Sequence, residues 1–274
     1  MRHLITCCLL LVLAACSSDP DINSETDPFP VALPPVAPLT FADYRYEDST
    51  ALRDRGPYFT YRLRTLRAEG GTEELRRMIN DSLSTQLFGF VVSDNVPMDT
   101  AVRAYLNPLF ADYAEQEVQE EWLQEAPQTF SRHQEETTEV VYRSDSLIVL
   151  SHQYYEYSGG AHGMSFTELL PFAVNPPSLL GYDDIFLPDQ EDRLSELLLA
   201  KAMEEPDRIF GDSVPVTGNL APLPEGIRFI YDPYAIGPYA SGEIALDLPY
   251  ASLQGMLRPG IQERLGLSQP IMRR

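Results

Sequence analysis

Residues 134–143, 146–157 and 165–174 follow one another with only short polar breaks, and this crowding constrains the fold more than any other feature of the chain. Runs of this length, rich in Val, Ile, Thr, Tyr and Phe, read as β-strands. Ser144-Asp145, between the first two, reads as a hairpin turn. The middle run sets Leu147, Val149, Ser151, Gln153, Tyr155 and Tyr157 on one side and Ile148, Leu150, His152, Tyr154 and Glu156 on the other. Neither side is wholly polar, so a sheet with both faces at least partly covered is expected. Gly159-Gly160-Ala161-His162-Gly163 then supplies a flexible crossover into the third strand.

Elements of both kinds flank this block. Residues 57–67 alternate with period two and read as a strand ended by Gly70-Gly71. Thr72 is placed to cap a helix whose buried stripe is Leu75, Met78, Ile79, Leu83 and Leu87. A second helical stretch over 99–126 has Val102, Tyr105, Leu106, Leu109 and Tyr113 as its stripe, with a break expected at Asn107-Pro108. Its acidic tail, anchored by Val118, Trp122 and Leu123, reads as a solvated face. Beyond a Pro-rich turn at 175–177 come a helix over 189–204 with Asp189 as its cap, strands at 227–231 and 242–248, and a short helix at 250–257. Unequal clusters of strands and helices, without βαβ alternation, predict an α+β fold: two small packed subdomains of mixed, mainly antiparallel sheet with helices on one side.

Charge narrows the partners. Lys and Arg total 20 against 41 Asp and Glu, a net charge of −21. That excludes most nucleic-acid binders, which need a basic face. Cationic proteins, cationic small molecules and divalent metals remain.

The N-terminus reads as an address. Arg2 and His3 precede an apolar run at 4–13, too short for the roughly 20 residues of a membrane span. The run ends in Leu13-Ala14-Ala15-Cys16, which resembles the bacterial lipoprotein signal and implies alkylation of the Cys16 thiol with diacylglycerol, cleavage between Ala15 and Cys16, and then acylation of Cys16, with palmitate among the chains. Residues 1–15 are therefore expected to be a signal peptide, and 16–40, rich in Pro, Ser and Asp, a tether. Cys7 and Cys8 would leave with the signal, so the folded body has no disulfide, thiolate metal site or cysteine nucleophile. The expected location is the bacterial cell envelope, on the outer membrane since no Asp follows Cys16 directly, with the membrane as a partner through the N-terminal lipid.

Four segments carry a family resemblance: Tyr154-Tyr155-Glu156-Tyr157-Ser158-Gly159-Gly160-Ala161-His162-Gly163; Leu179 to Phe186 with its Asp183-Asp184 pair; Ile227 to Tyr234; and Gly237 to Gly242 with Leu248-Pro249-Tyr250. Together, over about residues 41–257, the chain resembles the RsiV-type envelope domain, the paired domains of unknown function DUF4163 and DUF3298. The resemblance implies a DUF4163-like subdomain at 41–165 and a DUF3298-like one at 166–274, an α+β fold and no cofactor. The same module is similar to a non-catalytic part of some peptidoglycan deacetylases. In RsiV this region senses lysozyme by binding it. Ala235 stands where family members often carry Glu after the Pro-Tyr pair. The transmembrane and sigma-factor-binding segments of RsiV, and the metal-binding motifs of the deacetylases, are not expected here.

Candidate ligand-binding residues are Tyr155, Tyr157, Gly159, Gly160, His162, Asp183, Asp184 and Tyr234. Clustered tyrosines suit protein or sugar contacts and equally suit a strand core. His162 suits a ligand contact or general base, or a turn residue bonded to backbone. Neighbours on an extended chain point apart, so Asp183 and Asp184 read mainly as turn or cap residues. No ligand spacing among His133, His152 and His162 suggests a metal site, and no nucleophile, phosphate-loop or dinucleotide motif is present. Two readings follow: a lipid-anchored, non-catalytic module capturing a cationic, lysozyme-like protein or a wall component such as peptidoglycan; or a glycan-modifying hydrolase using His162 with a nearby carboxylate, Asp184 or Glu156.

Overall fold

The computed structural model describes residues 37–54 and 56–267. Cys16, the signal at 1–15 and residues 16–36 of the tether lie outside the described residues. In chain order the elements are β1 (Thr40–Ala51), β2 (Tyr58–Glu69), α1 (Glu73–Phe88), α2 (Met98–Ala114), α3 (Glu120–Glu125), β3 (Arg132–Arg143), β4 (Leu147–Tyr157), β5 (Met164–Val174), β6 (Pro177–Leu179), α4 (Tyr182–Ile185), α5 (Glu191–Ala202), β7 (Leu220–Leu223), β8 (Gly226–Tyr231), β9 (Ile244–Pro249) and α6 (Pro259–Arg264). The fold is α+β. One mixed sheet has the order β1-β2-β3-β4-β5-β6, and an antiparallel sheet has the order β7-β8-β9. Only β2 and β3 run parallel in the first sheet, because α1 to α3 lie between them and return the chain to its starting side.

Local chemistry sets the pieces. Thr72 Oγ1 accepts the Leu75 N–H at 3.3 Å, Glu73 and Glu74 face the positive end of α1, and Gly89 at φ 74° ends it. The 144–147 turn closes with Ser144 N–H donating to the Leu147 carbonyl at 2.8 Å, while Ser144 Oγ accepts the N–H groups of Ser146 and Leu147.

The alternation in β4 divides two cores. Ile148 and Leu150, with Leu170 and Phe172 of β5, pack on Leu75, Ile79 and Leu83 of α1. Leu147 and Val149, with Leu169 and Ala173, pack on the other side against Leu194 and Leu198 of α5 and on Phe229, Leu246 and Leu253. Each such fully buried side chain contributes about 1.5–3 kcal/mol. Helices α1 and α2 also cover Tyr61 and Leu63 of β2, whose other face carries the exposed Arg62 and Arg64. The first sheet is thus sandwiched over the start of β4 and the end of β5 and open on one face over β1 to β3.

Several expectations change. β1 went unread within and beyond the tether, although Tyr44 and Tyr46 alternate there with Asp43, Arg45 and Glu47. α2 runs through Pro108 and ends at Ala114; Val102, Leu106 and Tyr113, buried on both sides of the proline, hold the helix on the sheet despite the lost backbone bond. The break falls instead at 115–119. Gln190, not Asp189, caps α5, and Asp189 sits at φ 59°. The expected division between 165 and 166 falls inside β5, a strand of the first sheet; the chain leaves that sheet only after Leu179. Trp122 is 53% exposed, while Leu123 is buried. No helix among the described residues is long and apolar enough to cross a membrane.

Candidate functional site

The end of β4 emerges from the sandwich and leads into the glycine loop. Gly159 and Gly160 take φ 87° and 91°, values that exclude most side chains. A Cβ on Gly159 would overlap the Thr129 carbonyl oxygen, and one on Gly163 would overlap the Tyr155 phenol, so the loop lies tight against its surroundings. Tyr157 Oη donates to the Gly160 carbonyl at 3.0 Å.

His162 projects from this loop and stacks on Tyr239, with ring centroids 3.8 Å apart and planes 22° apart. Tyr234 extends the group, its centroid 5.5 Å from that of Tyr239. Tyr239 Oη donates to the Gly163 carbonyl, which ties the loop to the segment between β8 and β9. Tyr234 is 59% exposed and held at φ 72°, a strained value for a bulky residue. The three rings form an outward-facing ledge.

Carboxylates flank the segment that carries Tyr234 and Tyr239. Glu243 Oε2 accepts the Thr167 hydroxyl at 2.9 Å, whereas its buried Oε1 has no partner. Burial raises the pKa of Glu243 and that of Glu168, and the nearby Asp232 charge adds to both. Asp232 is two residues from Tyr234, and Thr167 and Glu168 follow the glycine loop into β5. Asp232 and Glu243 thus bracket the segment between β8 and β9 that carries Tyr234 and Tyr239.

The structure brings Tyr155, Tyr157, Gly159, Gly160, His162 and Tyr234 to or around this loop, but not Asp183 and Asp184. Those two lie in α4, where Asp184 Oδ2 accepts the Gly181 N–H at 2.8 Å and so caps the turn. Glu156 is on the opposite sheet face from Tyr155 and accepts from Tyr154 Oη at 2.8 Å and from Ser158 Oγ. Among the described residues no carboxylate bonds His162, and nowhere do three or more His, Cys, Asp or Glu side chains converge as metal ligands.

Sequence reasoning missed Tyr239 as the centre of the stack and two polar groups on the sheet. On the open face, Thr60 Oγ1 and His133 Nδ1 share a hydrogen bond of 2.6 Å, and His133 Nε2 is 3.5 Å from Glu135 Oε2. The order is that of nucleophile, base and orienting acid. Thr60, however, lies inside a strand paired on both sides, with Ser49 and with His133, so the local amides are engaged in the ladders rather than aimed at a developing oxyanion. Beneath the helices, Glu136 Oε1 accepts from Tyr61 Oη (3.1 Å) and Gln134 Nε2 (3.0 Å), and Glu136 Oε2 is 3.4 Å from His152 Nε2. Gln134 Nε2 also donates to Tyr105 Oη on α2 at 2.8 Å. Burial pushes the Glu136 carboxyl up to about 7 and the His152 imidazole down to about 4.

Fold and site together define an α+β scaffold that presents an exposed stack of aromatic rings. Comparison gives that scaffold its relatives. Residues 183–251 match the family described as "Protein of unknown function (DUF3298)", and residues 54–165 match the family described as "Deacetylase PdaC". No curated protein matches the chain. A DUF3298 family member from Bacteroides fragilis NCTC 9343, known from a crystal structure, is similar with a TM-score of 0.68 at 22% identity, over 83% of this chain and 97% of that one. A DUF3298 family protein from Pseudomonas aeruginosa PAO1 is similar with a TM-score of 0.58 at 17% identity, over 82% and 97%. At these identities the likeness establishes the shared fold.

Proposed function

We propose that the protein is a non-catalytic binding module of the bacterial cell envelope, anchored by lipid at Cys16, that captures a cationic protein on the His162–Tyr239–Tyr234 ledge. The observation that carries this reading is the exposed ring stack on the segment that Asp232 and Glu243 bracket. Tyrosine faces accept guanidinium and ammonium groups through cation–π attraction, and adjacent carboxylates pair with the same groups. The net charge of −21 steers such a partner toward the module. The resemblance to a lysozyme-sensing domain points the same way. The outer membrane is the location we assign to the anchored module.

The wall-component reading rests on the same rings, because sugars also stack on tyrosine. The hydrolase reading has less support, since His162 packs on Tyr239 and bonds no carboxylate among the described residues.

Titration calorimetry with lysozyme as the cationic probe tests the proposal, using the full chain carrying Cys16→Ser. Binding is expected at low salt, with affinity falling steeply as salt rises. Tyr234→Ala is expected to weaken it by about thirtyfold, the loss of one interface anchor of roughly 2 kcal/mol. Absence of heat at low salt, or binding unchanged by Tyr234→Ala, overturns the assignment. Binding of peptidoglycan fragments without lysozyme binding moves it to the wall-component reading.

A further inference from the structure

β1 closes one side of the first sheet. It pairs with β2 along its whole length, Thr40 with Glu69 through Ala51 with Tyr58. Its other edge takes no backbone hydrogen bond from any described residue outside that ladder. A free edge of twelve residues is a template for another strand.

The open face beside that edge is unbalanced in charge. Arg45 stands directly opposite Arg64, and neither side chain forms an ion pair or a hydrogen bond among the described residues. The adjacent row runs Glu47, Arg62, Glu135, with Arg62 Nε 3.0 Å from Glu47 Oε1. One row therefore ends at the edge in a surplus arginine and the next in an acid. Like charges directly opposite one another destabilise a ladder. A strand bringing an acid beside Arg45 and a base beside Glu47 completes both rows.

β1 is itself such a strand. Turned antiparallel about Tyr46, a second copy sets its Glu47 opposite Arg45 and its Arg45 opposite Glu47. The other pairs are Tyr44 with Asp48, Asp43 with Ser49, Ala42 with Thr50 and Phe41 with Ala51. None joins like charges. Centring on Arg45 sets Arg45 against its own copy and Asp43 against Glu47; centring on Glu47 sets Glu47 against itself. Centring on Tyr44 satisfies Arg45 with Asp43 but leaves residues 49–51 unpaired. A one-residue slip sets the helix-covered face of one copy beside the open face of the other. We propose that two copies of this chain join edge to edge through β1 in the Tyr46-centred register, forming one continuous sheet across a two-fold axis.

Sedimentation velocity over a concentration series, on the full chain carrying Cys16→Ser, tests this. The parent protein is expected to dimerise. Arg45→Glu and Glu47→Arg, each alone, oppose like charges at two symmetric positions and are expected to weaken the dimer by roughly thirtyfold. The double variant Arg45→Glu/Glu47→Arg restores opposite charges at both positions and is expected to restore dimerisation, while keeping the number of charges within each copy. Circular dichroism confirms that all variants fold. A parent that stays monomeric, single variants that dimerise like the parent, or a double variant that stays dissociated overturns the proposal. Tyr234 lies on other elements, so lysozyme binding by a monomeric variant leaves the functional reading untouched.

Discussion

The buried Glu136–His152 pair makes a prediction in which two opposing effects hide one another. Burial lifts Glu136 from 4.5 to about 7 and lowers His152 from 6.5 to about 4. The side chains are only 2% and 4% exposed, so solvent screens them little. Each shift corresponds to about 3 kcal/mol at about 1.4 kcal/mol per pKa unit. The signs differ. For Glu136 the folded state holds the proton more tightly, so its contribution is complete below 4.5 and is lost as pH rises through 7. For His152 the folded state favours the neutral ring, so its contribution is complete above 6.5 and is lost as pH falls through 4. Between 4.5 and 6.5 folding moves one proton from imidazole to carboxyl, and the pair leaves stability level. Glu136→Gln keeps an amide facing His152 and removes one side of the balance. Relative to the parent, its unfolding free energy is expected to fall by about 3 kcal/mol as pH drops from 7 to 4.5. His152→Gln is expected to show the reverse, a relative fall of about 3 kcal/mol as pH rises from 4 to 6.5. Denaturant unfolding at half-unit pH steps reads both slopes, and taking differences from the parent cancels the many surface carboxylates. Profiles for both variants parallel to the parent, or sloping the same way, would refute the reasoning.

The loop supplies two more tests. Gly159→Ala introduces a Cβ that overlaps the Thr129 carbonyl oxygen at φ 87° and is expected to cost about 2 kcal/mol or more in denaturant unfolding, whereas the equivalent change at Gly160, where a Cβ meets nothing within 4 Å, carries only the backbone cost of about 1 kcal/mol. Tyr234→Gly relieves the strained φ of 72° and is expected to leave stability equal or raise it by up to about 1 kcal/mol while weakening lysozyme binding; a fall in both would show that the ring supports the fold instead of a partner.

Much of the fold was legible because alternation and capping act locally. Residues 146–157 declared two half-covered faces, and Thr72 marked the start of α1. β1 was missed because its only buried-side signal, Tyr44 and Tyr46, is diluted by charges on every other residue and follows a Pro-rich segment. Pro108 misled because tertiary packing of Leu106 and Tyr113 outweighs a local backbone preference. The glycine loop and Tyr234 could be picked out from composition and resemblance. Tyr239 could not be singled out, since its stacking on His162 depends on a contact across 77 positions of sequence. The Glu136 cluster did leave a trace: Gln134, Glu136 and Thr138 share one side of β3, a polar row where a helix-covered face calls for apolar residues.

That polar row and the ledge have a common origin in β4. Its first half is buried on both faces and carries Leu147, Ile148, Val149 and Leu150; its second half, from His152 on, must accommodate a helix on one side and solvent on the other. The covered side keeps His152 beside Glu136 as a mutually satisfied pair, and the uncovered side turns Tyr155 and Tyr157 outward into the loop that presents His162. A buried ionisable pair at this point costs stability relative to apolar packing. It is retained, on this reading, as the element that fixes the register of β3 against β4 where apolar contacts give out, since sliding either strand would leave a carboxyl or an imidazole buried without its partner. Replacing both Glu136 and His152 with leucine should therefore separate the two roles. A stable variant whose glycine-loop amides lose hydrogen-exchange protection would show that the pair positions the ledge, and protection matching the parent would show that β4 is held by its apolar half alone.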